Sequence, residues 1–328
     1  MHNLNLPIYA PCVDLMRDGV VDQRFFGIVS LFNSKGEVLN YPKIGLENDY
    51  PFFLRSLLKP LQASIMADFD TKEHYNFSNP EIAIMQASHS GEKVHTDLVL
   101  SILNKAGLNE NHLKCPIIPP LSPHALLHDK VPKRIHNNCS AKHSMMLAIS
   151  KQLNFPLETY TDVNHPLQKL ILNKIRELSE YENPPLGYDG CTLPVWALPF
   201  KNIQKAFFKL YNDKKYEFLK TAYMESPYII GGRDNSGLRQ DTLIMKLNPD
   251  LISKTGAGGF LSIYNNKTKE FLLIKMAQDN NKARIVLAYS ILCKLGWINK
   301  DAKNDAILPD FNFYDENNTP VGRFKALM

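Results

Sequence analysis

The sequence predicts an α/β protein of the α+β kind, a mixed or antiparallel sheet covered by helices. Three observations predict it. Strand-like apolar runs stand near both ends of the chain, and helical spacing fills the middle. The third is size: 328 residues, 44% hydrophobic and 22% charged, suffice for one large domain or two closely packed parts.

Taken in order, residues 26–32 (FGIVSLF) read as a strand, 33–36 (NSKG) as a turn, and Val38-Leu39 as its return. Residues 55–69 carry helical spacing, as do 96–106, 142–153 and 166–178, where Pro166 suits a first helical position. The apolar run 82–85 reads as a strand ending in the loop 86–92. The Pro-rich stretch 115–132 (CPIIPPLSPHALLHDKVP) reads as a long ordered loop. It is the expected place for a seam, should the single unit spanning 1–328 divide. Residues 260–264 and 271–276 form a hairpin about 265–268, and 282–295 form a helix; the tail after Trp297 is polar and weakly patterned.

Charge and cysteine usage exclude several classes. The net charge of +5, from 38 basic and 33 acidic residues, is small and dispersed, a solvated surface and no nucleic-acid footprint. The five cysteines, Cys12, Cys115, Cys139, Cys191 and Cys293, are odd in number and widely spaced, which fits no extracellular disulfide framework. The first residues have no basic and apolar leader pattern, and no stretch approaches the ~18 apolar residues of a membrane span. The expectation is a cytoplasmic, reducing compartment with no membrane partner.

Four segments could carry chemistry. In Arg55-Ser56-Leu57-Leu58-Lys59-Pro60, Ser56 and Lys59 are three apart and share a face of a helical turn. Pro60 is tolerated only in a first turn, which sets Ser56 at or just before a helix start, near free N–H groups. A lysine with a depressed pKa can take the serine proton, and Arg55 is a cationic neighbour or a carboxylate clamp. The second segment, Gln86-Ala87-Ser88-His89-Ser90-Gly91-Glu92, offers hydroxyls and backbone N–H groups, or simply caps the next helix. The third is Asn138-Cys139-Ser140-Ala141-Lys142-His143 with Gly187-Tyr188-Asp189-Gly190-Cys191: a Cys/His/Asp set of the kind zinc favours, or two buried thiols and a capping Asp. The fourth, Ser253-Lys254-Thr255-Gly256-Ala257-Gly258-Gly259, has the Lys-Thr-Gly run of penicillin-recognising serine hydrolases, or is a Gly-rich turn.

Together these segments resemble one family, the bacterial L-asparaginase II family of the Rhizobium type (class 3 asparaginases). The family's R-S-x-x-K-P-x-Q stands as RSLLKPLQ at 55–62, S-H-S-G-E at 88–92, N-C-S-G-K-H as NCSAKH at 138–143, and H-P-x-Q as HPLQ at 165–168. G-x-D-G-C-G-x-P stands as GYDGCTLP at 187–194, and two later motifs stand more loosely as GLRQDT (237–242) and KTGAGG (254–259). Ala141 and Thr192 occupy positions where the family has Gly, Gly258 one where it has Glu, and Asp234-Asn235-Ser236 reads as an insertion. These departures bear on affinity and turnover more than on fold.

The resemblance implies a fold similar to serine β-lactamases and glutaminases, a homodimer, and hydrolysis of asparagine to aspartate and ammonia. It implies two Ser–Lys pairs, here Ser56–Lys59 and Ser88–Lys254, and a metal, usually zinc, held by Cys139, Lys142 and Cys191. Arg55, His89, Glu92, His143 and Asp189 are the substrate-binding candidates. Three rivals stand beside asparaginase. Glutaminase differs by one methylene in the substrate. A β-lactam-recognising serine hydrolase shares the Ser-x-x-Lys and Lys-Thr-Gly logic. A metal-stabilised binding protein would bind asparagine without turnover.

Overall fold

The computed structural model describes residues 6–46, 48–299 and 309–328. Contacts divide the chain into two compact units, Met1–Tyr50 with Leu243–Met328, and Pro51–Thr242. The first unit is built on an eight-stranded sheet. Its order is Asn312–Tyr314, Pro320–Ala326, Ala10–Arg17, Val20–Phe32, Glu270–Met276, Phe260–Asn265, Leu251–Gly256, with Val38–Ile44 also paired to Val20–Phe32. Every one of these pairings is antiparallel. The long Val20–Phe32 strand organises it: its exposed first half pairs with Ala10–Arg17, and its apolar second half sets Leu31 against Leu272 and Phe32 against Phe271. Phe260–Asn265 is buried at every position, so both faces of the strand are covered and period-two alternation is lost. The helix Asn281–Lys294, capped by Asn280, packs on the strands Ala10–Arg17, Pro320–Ala326 and Glu270–Met276.

The hairpin at 260–276 and the helix after it are as the sequence predicts. Two features differ. The Lys-Thr-Gly run does not merely open a strand: Leu251–Gly256 is itself one, and Lys254 sits within it opposite Ser262. The weakly patterned tail, of which 300–308 lie outside the described residues, supplies the strands Asn312–Tyr314 and Pro320–Ala326. Only Phe324 of the latter is buried, so it lacks the apolar alternation that marks a half-buried strand.

The second unit is helical. Lys93–Lys105, Ser140–Gln152, Pro166–Ser179, Phe200–Asn212 and Glu217–Glu225 are its longer helices, with a small sheet of Phe52–Phe53, Pro194–Leu198 and Leu186–Tyr188. Residues 82–85, expected as a strand, belong to the helix Asn79–Met85. All four are buried, and an apolar run with no polar face carries no period to tell helix from strand; the decisive signal is the capping box of Ser78 and Glu81 with Pro80 in the first turn. The stretch 115–132 is not a seam. It lies inside this unit, contains the short helix Pro123–His128, and folds back through an Ile118–Lys133 bridge. The boundaries fall at Tyr50/Pro51 and Thr242/Leu243 instead. Prolines there stiffen a loop that stays with one core. Among the described residues no helix is long and apolar enough to cross a membrane.

Glu81 is the joint of this unit's first helices. Its carboxylate accepts from Ser78 N–H and Oγ, from Ser101 Oγ and from Lys105 Nζ at 2.7–2.8 Å. Burial alone would raise its pKa, but these donors outweigh it and hold the carboxyl below its ordinary value. A depressed folded pKa contributes stability above the unfolded value and loses it as pH falls through the folded one. Glu81→Ala is therefore expected to cost about 2 kcal/mol at neutral pH in urea unfolding and to flatten the acid limb of stability. An unchanged midpoint would show the network to be idle.

Candidate active site

The segment Arg55–Leu58 is a 3₁₀ turn running into the helix Lys59–Ala63, with Pro60 in its first turn as the sequence requires. Ser56 is half-buried; Leu57 and Leu58 anchor the turn in the core. Lys59 is wholly buried. Its Nζ lies 2.6 Å from Ala87 O, 2.8 Å from Asn138 O and 2.9 Å from Ser88 Oγ. Burial pushes its pKa down and the Lys142 charge adds to this, against the opposing pull of Cys139, Cys191 and Asp189. Two carbonyls consume two N–H groups. A charged Lys59 donates its third N–H to Ser88 Oγ; a neutral one turns its lone pair to accept the Ser88 hydroxyl proton. The structure thus pairs Lys59 with Ser88, and Ser56, its expected partner, is not among its hydrogen-bond partners. The four-carbon stem carries the amine past its own turn to acceptors on two other segments.

The loop that follows Asn79–Met85 is strapped at several points. Ser88 N–H donates to Ile230 O, and Arg239 donates to Ser88 O. Gly91 has φ +77°, and a Cβ there would stand 2.9 Å from His136 O, so the motif's glycine answers both a left-handed backbone and a close approach. His89 Nδ1 accepts the Gly91 N–H at 3.2 Å, and its Nε2 faces Ser140 Oγ at 3.0 Å, whose own proton goes to Ile135 O. Burial holds His89 neutral, well below its usual pKa. Glu92 accepts from Ser122 Oγ and Tyr228 Oη. Both expected substrate contacts, His89 and Glu92, are engaged as braces between the loop and the rest of the unit.

Cys139 caps the helix Ser140–Gln152, which carries Lys142 and His143 in its first turn. Lys142 Nζ lies 3.3 Å from Cys191 Sγ. A hydrogen bond with the Cys139 thiol, helped by Lys142, holds Cys191 down at about 5 despite burial; the same bond and burial push Cys139 up. Burial opposes charge on Lys142, but Cys191, Cys139 and Asp189 outweigh it and push its pKa up. The cluster sets two sulfurs beside one amine, with Cys191 Sγ also 3.9 Å from Asp189 Oδ2. Ligand atoms of Cys139, Asp189 and Cys191 lie within 4.8 Å of one another, and Lys142 stands beside them. Two sulfurs, a carboxylate oxygen and an amine make a four-coordinate donor set for zinc once Cys139 and Lys142 give up their protons, which the ion itself would drive. Asp189, which the sequence offers both in a zinc-favoured Cys/His/Asp set and as a substrate contact, is thus grouped with the two sulfurs.

Asp189 also meets Arg55, whose Nε and Nη2 lie 3.0 Å from Asp189 Oδ1. Burial would raise the Asp189 pKa; Lys142 and Arg55 outweigh it and lower it. His143 is fully buried and held down at about 3, by burial first and then the Lys142 charge. Its Nδ1 lies 2.7 Å from Tyr160 Oη. Lys254 stands in the other unit, buried in its strand with Nζ 2.8 Å from Thr255 O. The expected Ser88–Lys254 pair has its members in different units, and the site described here comes from the second unit alone. Sequence reasoning missed three residues in that unit. Asn138 and Arg239 lie in recognised motifs without an assigned role; Tyr160 lies in none, and no local pattern marks it.

Thr192 closes the turn that presents Asp189 and Cys191, donating its N–H to Asp189 O. Its φ is +77°, a conformation that a β-branched side chain resists. Thr192→Gly is expected to raise the unfolding free energy by about 1 kcal/mol, relief of strain exceeding the added chain entropy. A lowered melting temperature would refute strain at this position.

A family model described as L-asparaginase II matches residues 13–326. The comparison with curated proteins found no match. Among solved structures, a β-lactamase from Mycobacterium bovis aligns over 82% of this chain and 94% of its own, at 11% identity and a TM-score of 0.45. A Bacteroides dorei protein described as a candidate β-lactamase aligns over 81% of this chain and 93% of its own, at 10% identity and a TM-score of 0.42. With the family match spanning nearly its whole length, the chain belongs to the L-asparaginase II family.

Proposed function

We propose that the protein hydrolyses the side-chain amide of L-asparagine through an acyl-enzyme, with Ser56 as nucleophile and Lys59 as base. The observation that carries this reading is the buried, pKa-depressed Lys59, three residues from a reachable serine and hydrogen-bonded to a second. Neutral Lys59 takes the Ser56 proton as Oγ attacks the carboxamide carbon, after exchanging its bond to Ser88 for one to Ser56. Backbone N–H groups of the 3₁₀ turn hold the oxyanion. Protonated Lys59, oriented by Ser88, returns the proton to the departing ammonia; water then releases aspartate, with Lys59 again the base. The Arg55–Asp189 pair supplies one charge for the substrate's α-carboxylate and one for its α-ammonium group. Glutamine, one methylene longer, is disfavoured by only about 1–3 kcal/mol in such a pocket.

Zinc would be held by Cys139, Lys142 and Cys191, with Asp189 in reach. When bound it supplies a fixed positive charge that keeps the 138–143 and 188–193 segments in register. A reducing compartment belongs to the same reading, because it keeps both sulfurs available as ligands. So does the homodimer, which the family resemblance implies.

A second reading has Ser88 as nucleophile, favoured by its 2.9 Å bond to Lys59. The 2% exposure of Ser88, against the half-buried Ser56, weighs against it. Acid quench during turnover, followed by peptide mapping, decides between them: the acyl group should lie on Ser56, and an acyl group on Ser88 would reverse the assignment.

Ser56→Ala and Lys59→Met are each expected to lower ammonia release from asparagine by about a thousandfold or more, with folding retained. A Lys59→Met protein with a tenth or more of wild-type turnover, ~10%, would exclude the lysine as base. A base must be neutral, so the rate should rise with pH through the lowered Lys59 pKa and fall away below it. An acid limb surviving in Lys59→Met would assign that ionisation elsewhere. Elemental analysis of protein purified without chelator should find about one zinc per chain, lost in Cys139→Ser and Cys191→Ser. Metal-free protein with normal kinetics would return both thiols to the core.

A further inference from the structure

The partners of His143 and Tyr160 form a one-way chain. Lys114 N–H donates to Tyr160 Oη at 2.8 Å. With that donor on one side, the phenol's own proton needs an acceptor, and the group in reach is His143 Nδ1 at 2.7 Å. A protonated Nδ1 would face an oxygen already receiving one N–H and would leave the Tyr160 proton without a place. The rings meet edge to face, 5.6 Å apart at 85°, which holds the geometry; Gln168 Nε2 further ties Tyr160 O at 2.8 Å. His143 Nε2 is fully buried and has no hydrogen-bond partner among the described residues. A buried N–H left open is costly unless something polar arrives to accept it.

We propose that Tyr160 is a positioning residue that fixes His143 as its Nε2–H tautomer, making His143 a donor to the substrate's α-carboxylate and not a partner of its α-ammonium group. The inference rests on the amino-acid amide reading above and deepens it. An Nε2–H can serve only an acceptor. The acceptors on asparagine are the carboxylate and the amide oxygen, and the amide oxygen belongs with the backbone N–H groups beside Ser56. Asp189, acceptor-only, is then left for the α-ammonium group. Tyr160 touches no substrate atom; it selects which end of the amino acid His143 can read.

Two measurements test this on the whole protein. Nitrogen NMR of histidine-labelled wild type should show His143 protonated at Nε2 and bare at Nδ1, with that preference lost in Tyr160→Phe. Kinetics should compare asparagine with succinamate, which lacks the α-amino group, and β-alaninamide, which lacks the α-carboxylate. Tyr160→Phe should raise KM for asparagine and succinamate about tenfold, leave KM for β-alaninamide unchanged, and keep kcat within about threefold. An Nδ1–H signal in wild type overturns the proposal, as does an equal rise in KM for all three compounds, the mark of a merely structural role. Should Tyr160→Phe fail to fold, His143→Gln, which keeps an N–H at the ε position, should hold KM for succinamate within about threefold of wild type while His143→Leu loses about tenfold; equal losses overturn it. Wild-type protein that hydrolyses none of the three compounds refutes the asparaginase reading and the carboxylate half with it, while the NMR signal still decides the tautomer.

Discussion

A lysine amine held where water does not reach is the constraint on which the candidate site depends. Lys59 has no exposed surface, and a buried cation or amine left without acceptors would cost several kcal/mol. Its three partners come from two segments distant in sequence, the loop after Asn79–Met85 and the turn before Ser140–Gln152. Burying Lys59 therefore requires both segments to be in place, and their own straps follow from that need. Arg239 and Ile230 hold the Ser88 backbone, and His89 ties the same loop to Ser140. Much of the S-H-S-G-E motif is best understood as scaffolding for one amine.

The charges around Lys59 form a second layer of the same argument. Lys142 pushes the Lys59 pKa down, while Cys139, Cys191 and Asp189 pull it up. Lys142 is itself kept charged by those three residues, and Asp189 is shared with Arg55. The Cys139/Lys142/Cys191 cluster is thus not independent of Lys59, even though it shares no hydrogen bond with it.

How much was legible in the sequence follows from what each signal encodes. Pro60 after Ser-x-x-Lys set the helix start within a residue or two, because a missing N–H is a local constraint. The hairpin at 260–276 was legible from its turn residues. The run 82–85 misled because a fully buried helix offers no polar face, and 115–132 misled because proline density reports chain stiffness and not a change of core. The Pro320–Ala326 strand was invisible for the opposite reason, being mostly exposed. At the site, spacing placed Ser56 and Lys59 on one turn but could not show where a long side chain ends. That depends on acceptors 28 and 79 residues away. Tyr160 lies beyond any local pattern, since its partner is 17 residues off and the bond is made through a single atom.

Backbone strain is found at two turns of this site, as it is at Glu180 and Lys269 elsewhere. Arg55 has φ +50° and Thr192 has φ +77°, and neither is a glycine or an asparagine. Each sits at the turn that carries one end of the Arg55–Asp189 pair, Arg55 itself at one end and Thr192 closing the Asp189–Thr192 turn at the other. Left-handed conformations at ordinary residues cost roughly 1–3 kcal/mol and persist only where the surroundings over-determine them. Here the over-determination is visible: Leu57 and Leu58 anchor one turn in the core, while Asp189 N–H to Leu193 O and Gly190 N–H to Asp189 Oδ1 close the other. Two turns so held fix the backbone positions from which Arg55 and Asp189 reach each other. The amino-acid amide reading proposed above would draw on that, because each charge of such a substrate would have to meet its own partner and not the other.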